Sequence, residues 1–228
     1  VISMFEYGLS IKAIIVPKDQ NKRLSESISK LVGLDAPIFS INKKEVGNAL
    51  QPFHGCALFS IGFPYLLSAE VIRGKDSLFS ALAFNDVAVN RGNGRGMIEF
   101  EVHIDGEYVY SLRSDGLIVA TPTGSTAYAL SCGGPILHPR LDLIALVPVS
   151  PHTLSNRPIV VGPEATVEIL IHRAEGARIY SDSHSHFNLN KSDKVVIRRS
   201  PHTARLLHSS SHSYYRMLRE KLGWSGVS

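Results

Sequence analysis

Residues 97–112 constrain the fold of this chain more than any other stretch. Ile98, Phe100, Val102 and Ile104 alternate with Glu99, Glu101 and His103. That period of two is the signature of a half-buried strand. Asp105-Gly106 is a hairpin signal, and Glu107-Tyr-Val-Tyr-Ser-Leu112 returns. Similar short strands are read at Asp86-Val-Ala-Val-Asn90, Ile144-Ala-Leu-Val-Pro148, Ile159-Val-Val161 and Ala165-Thr-Val-Glu-Ile-Leu-Ile171. Two more are Arg178-Ile-Tyr-Ser181 and Lys194-Val-Val-Ile-Arg198. Gly92-Asn-Gly-Arg-Gly96 marks a turn. Regular short strands with polar turns predict a β-sandwich-like domain over residues 81–208.

The first 80 residues follow a different rhythm. Ile11-Lys-Ala-Ile-Ile-Val-Pro17 reads as a strand. Leu24, Ile28, Leu31 and Val32 then recur at helical spacing over residues 18–32. Pro37-Ile-Phe-Ser-Ile41 and Cys56-Ala-Leu-Phe-Ser-Ile61 read as further strands, and residues 65–72 as a helix. Strand, helix and strand in this order predict a small parallel sheet with covering helices, an α/β domain over residues 1–80. Residues 209–228 form a tail whose Ser213-Tyr-Tyr-Arg-Met-Leu-Arg-Glu-Lys-Leu-Gly-Trp224 reads as an amphipathic helix.

Composition narrows the function classes. The 228 residues are 44% hydrophobic and 19% charged, an ordinary globular balance. A net charge of +4 is too small to argue for nucleic acid. Cys56 and Cys132 form no CxxC pair and no disulfide framework, so a reducing compartment is expected. No apolar run reaches the length of a membrane span and no signal peptide shows, which predicts a cytoplasmic protein with no membrane partner.

The chemistry concentrates in residues 113–139. Leu117-Ile-Val-Ala120 reads as a buried strand, broken by Thr121-Pro-Thr-Gly124. Ser125 and Thr126 are N-cap candidates for a short helix over residues 127–131, which Gly133-Gly-Pro135 stops. The hydroxyls of Thr123, Ser125 and Thr126, the flat ring of Tyr128, and Arg113 with Asp115 suit a ligand that carries phosphate, ribose hydroxyls and an aromatic base. The alternative is a polar strand-to-helix turn without a ligand.

Asp115-Gly-Leu-Ile-Val-Ala-Thr-Pro-Thr-Gly-Ser-Thr-Ala-Tyr128 resembles the central signature of the bacterial-type NAD kinases. Three other segments match that family in the same order: Phe84-Asn-Asp-Val87, Pro151-His-Thr-Leu-Ser-Asn-Arg-Pro158 and Leu218-Arg-Glu-Lys-Leu-Gly-Trp224. The resemblance covers roughly residues 80–228. It implies the NAD kinase/diacylglycerol kinase-like fold, with a Rossmann-like α/β domain, a β-rich domain that binds NAD, and a tail that packs back on the first domain. The implied reaction moves a phosphoryl group from ATP, with a divalent metal such as Mg²⁺, to the adenosine ribose 2′-hydroxyl of NAD, giving NADP. The family forms homo-oligomers, so a dimer or tetramer is expected.

Site residues follow from the matched positions. Asn85 and Asp86 fall on the family's dinucleotide-binding pair, and Arg113 and Asp115 on its nucleotide-contacting Arg and Asp. Thr126, Ala127, Tyr128, Ala129, Leu130 and Ser131 fall on its binding run. Asp182 and His184 fall on an Asp-Ser-Gln segment, with His in place of Gln. His184 and His186 share the spacing of strand-borne metal ligands, but no third ligand accompanies them. Cys132 reads as a small core residue, His152 as a loop-ordering residue, and His202, His208 and His212 as solvated surface.

The family's Gly-Gly-Asp-Gly loop, whose aspartate is the proton acceptor, has no counterpart in residues 1–84. Ile61-Gly-Phe-Pro64 stands in the nearest context, with Phe63 in place of the aspartate. The reading is therefore an NAD kinase-like protein that binds NAD, with NADP formation expected to be slow or absent. Two alternatives stand beside an active NAD kinase: a degenerate relative that binds NAD without phosphorylating it, and a purely structural β-rich domain.

Overall fold

The computed structural model describes residues 64–94, 96–153, 155–204 and 213–224, with the backbone of four short strands outside them. Those strands are β1 (Ile14–Pro17), β2 (Ile38–Ile41), β3 (Leu58–Ser60) and β16 (Leu207–Ser209). The chain divides into two compact units, residues 1–63 with 205–228 and residues 64–204. The β-rich unit thus begins before the boundary expected near residue 80.

In the smaller unit, β1 and β2 run parallel, with Ile14 opposite Ile38. A parallel neighbour requires a crossover connection, in keeping with the α/β reading. The helix expected over residues 18–32 lies outside the described residues. The third expected strand does not extend this pair: β3 runs antiparallel to β16, with Leu58 opposite Ser209. The final helix, Tyr214–Leu222, starts where the Ser213 hydroxyl accepts the Arg216 amide at 3.4 Å. It stops at Gly223, whose φ of 66° is the left-handed conformation of a helix C-cap.

The larger unit consists of two six-stranded sheets. Its strands are β4 (Tyr65–Arg73), β5 (Asp76–Ala83), β6 (Asp86–Asn90), β7 (Ile98–Ile104), β8 (Glu107–Ser114), β9 (Gly116–Ala120) and β10 (Ile144–Val149). They continue with β11 (Ile159–Val161), β12 (Val167–Arg173), β13 (Arg178–Ser181), β14 (Ser185–Asn188) and β15 (Lys194–Thr203). One sheet runs β11-β10-β9-β6-β13-β14 and the other β5-β4-β15-β12-β7-β8. Every adjacent pair in both is antiparallel. Asp105 and Gly106 turn the β7–β8 hairpin with φ of 53° and 82°, as their sequence signal predicts.

Residues 65–72 form a strand and not the expected helix. Leu67, Ala69 and Val71 are fully buried, while Ser68, Glu70 and Ile72 are only partly so. Pairing with β15 on one side and β5 on the other engages both edges of the strand over Leu67–Ile72, and it overrides the helical propensity of Leu, Ala and Glu. β14, Ser185-His-Phe-Asn188, carries a single apolar residue, Phe187, too little alternation to mark a strand in sequence.

The core between the sheets gathers Leu67, Val89, Phe100, Leu117, Ile169 and Ile197, all essentially inaccessible. A second cluster covers the opposite face of the first sheet. There Ala88, Ile118, Ala120, Ala145 and Val147 pack with Ala129 and Leu137. The central strands of that sheet are therefore buried on both faces, which explains the unbroken apolar run of residues 117–120. Its small side chains let the segment over residues 121–139 lie close to the sheet.

Candidate functional site

One end of the first sheet brings three chain segments together. Asp86 at the start of β6 lies opposite Ala120 at the end of β9, and Val87 lies opposite Ser181 at the end of β13. The strand ends deliver Asn85-Asp86, Thr121 and Asp182 to one place. The Asp182 carboxylate accepts the backbone N–H groups of Phe84 at 2.6 Å, Asn85 at 2.7 Å and Asp86 at 3.2 Å. The Thr121 hydroxyl donates to the Phe84 carbonyl at 2.8 Å, and the Thr121 amide donates to the Asn85 carbonyl at 2.9 Å. Thr121 Oγ1 also accepts the Gly124 amide at 3.0 Å, which closes the turn after β9.

Asp86 is 5% exposed, and among the described residues its carboxyl oxygens accept no protein hydrogen bond. Burial, and next the neighbouring Asp182, push its carboxyl up to about 7 from an ordinary 3.8. Burial likewise pushes Asp182 up, against the pull of its three amides and of His184. Asp86 is thus a buried acid with unfilled acceptor positions, poised to accept hydrogen bonds from ligand hydroxyls near neutral pH.

The turn after β9 differs from expectation. Ser125 and Thr126 do not cap a helix. The Ser125 hydroxyl is fully buried, donates to the Pro122 carbonyl at 2.6 Å and accepts the Leu137 amide at 2.9 Å. It ties two ends of the covering segment together and offers nothing to a ligand. A 3-10 turn spans Gly124–Thr126, and a single helical turn, α1, spans Tyr128–Ser131 with Ala127 at its uncapped start. Thr126 turns back toward the Thr123 carbonyl at 3.5 Å. Ala129 is 1% exposed and belongs to the second core cluster, so its side chain packs the sheet and does not line a site. Leu130 is half-buried, and Ser131 is exposed.

Tyr128 is 39% exposed, and the Cys132 thiol lies near its hydroxyl. Its hydroxyl is pushed up first by burial, then by Cys132, with Asp86 and Asp115 adding to the effect. The ring therefore lies within the field of acids at both ends of β9. Asn90 pairs with Gly116, so Asp115 follows β6 and β9 to the end opposite Asp86. At about 3.3 Å per residue those ends lie about 16 Å apart. Cys132 is half-buried and its thiol is pushed up, chiefly by burial, as suits a packing residue and not a nucleophile.

The two charges of residues 113–115 do not pair with each other. Asp115 meets Arg91 at 3.5 Å, and Arg113 reaches Glu99 at 3.7 Å on the other sheet. Arg113 therefore stands apart from the cluster around Asp86. His184 is exposed and belongs to the turn before β14, so it does not share a strand face with His186. Among the described residues no group of three or more His, Cys, Asp or Glu side chains is gathered to hold a metal. Residues 61–63, the counterpart proposed for the donor loop, lie outside the described residues.

Thr121 and Gly124 are the site residues that sequence reasoning passed over. An added Cβ on Gly124 would lie 1.9 Å from the Asn85 carbonyl oxygen and 2.3 Å from its carbon. Their signal was present in Thr121-Pro-Thr-Gly124, where hydroxyls surround a residue able to approach a backbone closely. Only the fold shows which backbone is approached.

The ATP-NAD kinase C-terminal domain family matches residues 84–209. An NAD kinase of Nitrosospira multiformis is 74% identical over 162 residues, covering 71% of this chain and 55% of that protein. An NAD kinase of Ralstonia nicotianae is 47% identical over 204 residues, covering 85% of this chain and 68% of that one. The chain spans about half the length of the first of these relatives. The crystal structure of yeast NADH kinase complexed with NADH superposes with a TM-score of 0.72 at 22% identity, over 84% of this chain and 60% of that one, and shares its fold. No described helix is long and apolar enough to cross a membrane. With the family match over most of the β-rich unit and these linked identities, the chain belongs to the ATP-NAD kinase family.

Proposed function

We propose that this chain binds NAD on the outer face of the first sheet and serves its phosphorylation by ATP to NADP. The buried carboxyl of Asp86, which accepts no hydrogen bond among the described residues, beside the half-exposed ring of Tyr128 carries the reading. Asp86 accepts ribose hydroxyls, Tyr128 stacks on a ring of the ligand, and Asp115 accepts hydroxyls at the far end. A span of about 16 Å suits an extended dinucleotide better than one nucleoside. Asn85 presents its amide beside Asp86, Thr126 and Ala127 line the entry to α1, and Leu130, Ser131 and His184 border the site. Asp115, held by Arg91, takes the part that Arg113 does not reach. The relatives' name, NAD kinase, supports the same substrate.

Transfer of this kind uses a divalent metal such as Mg²⁺ on the donor phosphates. Cytoplasmic location and a homo-oligomer complete the proposal. A second reading, an NAD-binding relative with little kinase activity, is motivated by Ile61-Gly-Phe-Pro64. A positioned general base contributes roughly 10²–10⁴-fold, so NADP formation with ATP and magnesium separates the two. Slow turnover that rises when residues 61–64 are rewritten as Gly-Gly-Asp-Gly supports the second; robust turnover without rewriting supports the first. Absence of NAD binding by calorimetry rejects both.

Replacing Tyr128 with alanine weakens NAD by about 1–3 kcal/mol, the scale of one base stacked on an aromatic ring. An unchanged calorimetric Kd in the folded variant would remove Tyr128 from the site.

A further inference from the structure

Asp182 falls on the aspartate of the family's Asp-Ser-Gln segment, which the resemblance places at the dinucleotide site, yet its geometry here points elsewhere. Oδ2 accepts the Phe84 amide at 2.6 Å, and Oδ1 accepts the amides of Asn85 at 2.7 Å and Asp86 at 3.2 Å. One carboxylate thus gathers three successive amides. The residue is 9% exposed, so little of it is left for a ligand. The backbone closes the loop, because the Asp182 amide donates to the Asp86 carbonyl at 3.0 Å.

The chain distorts to place it there. Asp182 and Ser183 have φ of 48° and 62°, and the His184 amide donates to the Ser181 carbonyl at 3.1 Å. This is a type I′ turn built without the glycine it favours. Two consecutive non-glycine residues in the left-handed region carry a conformational cost, which persists only where the surroundings hold them. Here the three amides and the Asp86 carbonyl do so. The other side of the same backbone is held as firmly. Thr121 takes the carbonyls of Phe84 and Asn85, and Gly124 lets the turn press against Asn85. The amides of residues 84–86 are therefore held by Asp182, the carbonyls of Phe84 and Asn85 by Thr121, and the carbonyl of Asp86 by the Asp182 amide.

We propose that Asp182 is a positioning residue, whose buried carboxylate gathers the amides of residues 84–86 and so presents Asn85 and Asp86 to the dinucleotide without touching it. The proposal rests on the NAD-binding reading. An asparagine at this position would turn an NH₂ group toward the Phe84 amide, donor against donor, and so loosen the clamp while keeping the size of the side chain.

The test uses the full chain with Asp182→Asn, in the parent and in an Asn85→Ala/Asp86→Ala background. In the folded variant without ligand, hydrogen exchange at the amides of residues 84–86 accelerates about tenfold or more, as expected for the loss of charged acceptors. In the parent background NAD binds about tenfold or more weaker. In the Asn85→Ala/Asp86→Ala background the same substitution changes NAD affinity by less than about twofold, because the groups it positions are gone. An equal loss in both backgrounds would mean that Asp182 touches the ligand, and unchanged exchange would mean that it clamps nothing; either overturns the proposal. A parent chain that binds no NAD overturns the dinucleotide reading, while the exchange measurement still decides the clamp. Asp182→Glu keeps the charge and moves it by one methylene. It is measured alongside and carries the same expectations if Asp182→Asn does not fold.

Discussion

Gly124→Ala destabilises the β-rich unit by about 3 kcal/mol or more, the upper end of the cost of forcing atoms into a packed interior. The added methyl would sit 1.9 Å from the Asn85 carbonyl oxygen, 2.3 Å from its carbon and 2.6 Å from its Cα. All three are backbone atoms, so no flexible side chain can swing away. Asn85 is also pinned from the far side by Asp182, and the turn is pinned by Thr121, so neither partner has free room to retreat. The strain passes into residues 84–86, and NAD affinity falls with stability. Gly162→Ala is the control, since nothing lies within 4 Å of its added Cβ. Denaturant unfolding of the two variants checks the contrast. A Gly124→Ala protein as stable as the control would show that this close approach is not required.

Asp86→Asn changes both stability and binding, in opposite directions. The folded chain holds the Asp86 proton up to about pH 7, whereas an unfolded aspartate releases it near 3.8. Between those values the folded state binds more protons than the unfolded state, so this group makes stability fall as pH rises, and the loss levels off above about 7. A shift of that size corresponds to up to about 4 kcal/mol. The amide cannot ionise and so removes the penalty; the variant is more stable than the parent at pH 8, and their unfolding curves converge toward pH 4. Ligand hydroxyls favour the ionised carboxylate. The parent therefore binds NAD about tenfold tighter at pH 8 than at pH 6, as the ionised fraction rises from about a tenth to about nine tenths. The facing groups that bear on this are Asp182, Tyr128 and Cys132. The substitution both weakens NAD and flattens the profile. Stability curves that run parallel in pH for parent and variant would show that Asp86 is not a buried acid.

The strands of the β-rich unit were largely legible because alternation survives wherever a strand has one wet face, as in β7. Asp105-Gly106 named its turn because few dipeptides tolerate two left-handed residues. The β4 strand was not legible, since Tyr-Leu-Leu-Ser-Ala-Glu-Val-Ile-Arg suits a helix locally and becomes a strand only between β15 and β5. The site divides in the same way. Asn85, Asp86, Asp115 and Tyr128 were readable as chemical types in matching order. Ala129 and Ser125 were not, because the face a one-turn helix buries depends on what lies beneath it. Arg113 was readable as a charge, but its strand carries it to Glu99 and away from Asp86.

The sequence by itself determined the family to which the chain belongs and which chemical types stand at the candidate site. Residue types, spacing and turn dipeptides are local properties, and they survive without the fold. Tertiary structure alone decided what each of these residues contacts and how deeply it is buried. The pairing of β6 with β9 and β13 brings Asp182 to the amides of residues 84–86, about a hundred residues earlier in the chain. That contact turns one acid into a clamp and buries the other beside it, because hydrogen-bond donors and burial are set by neighbours in space and not by neighbours in sequence.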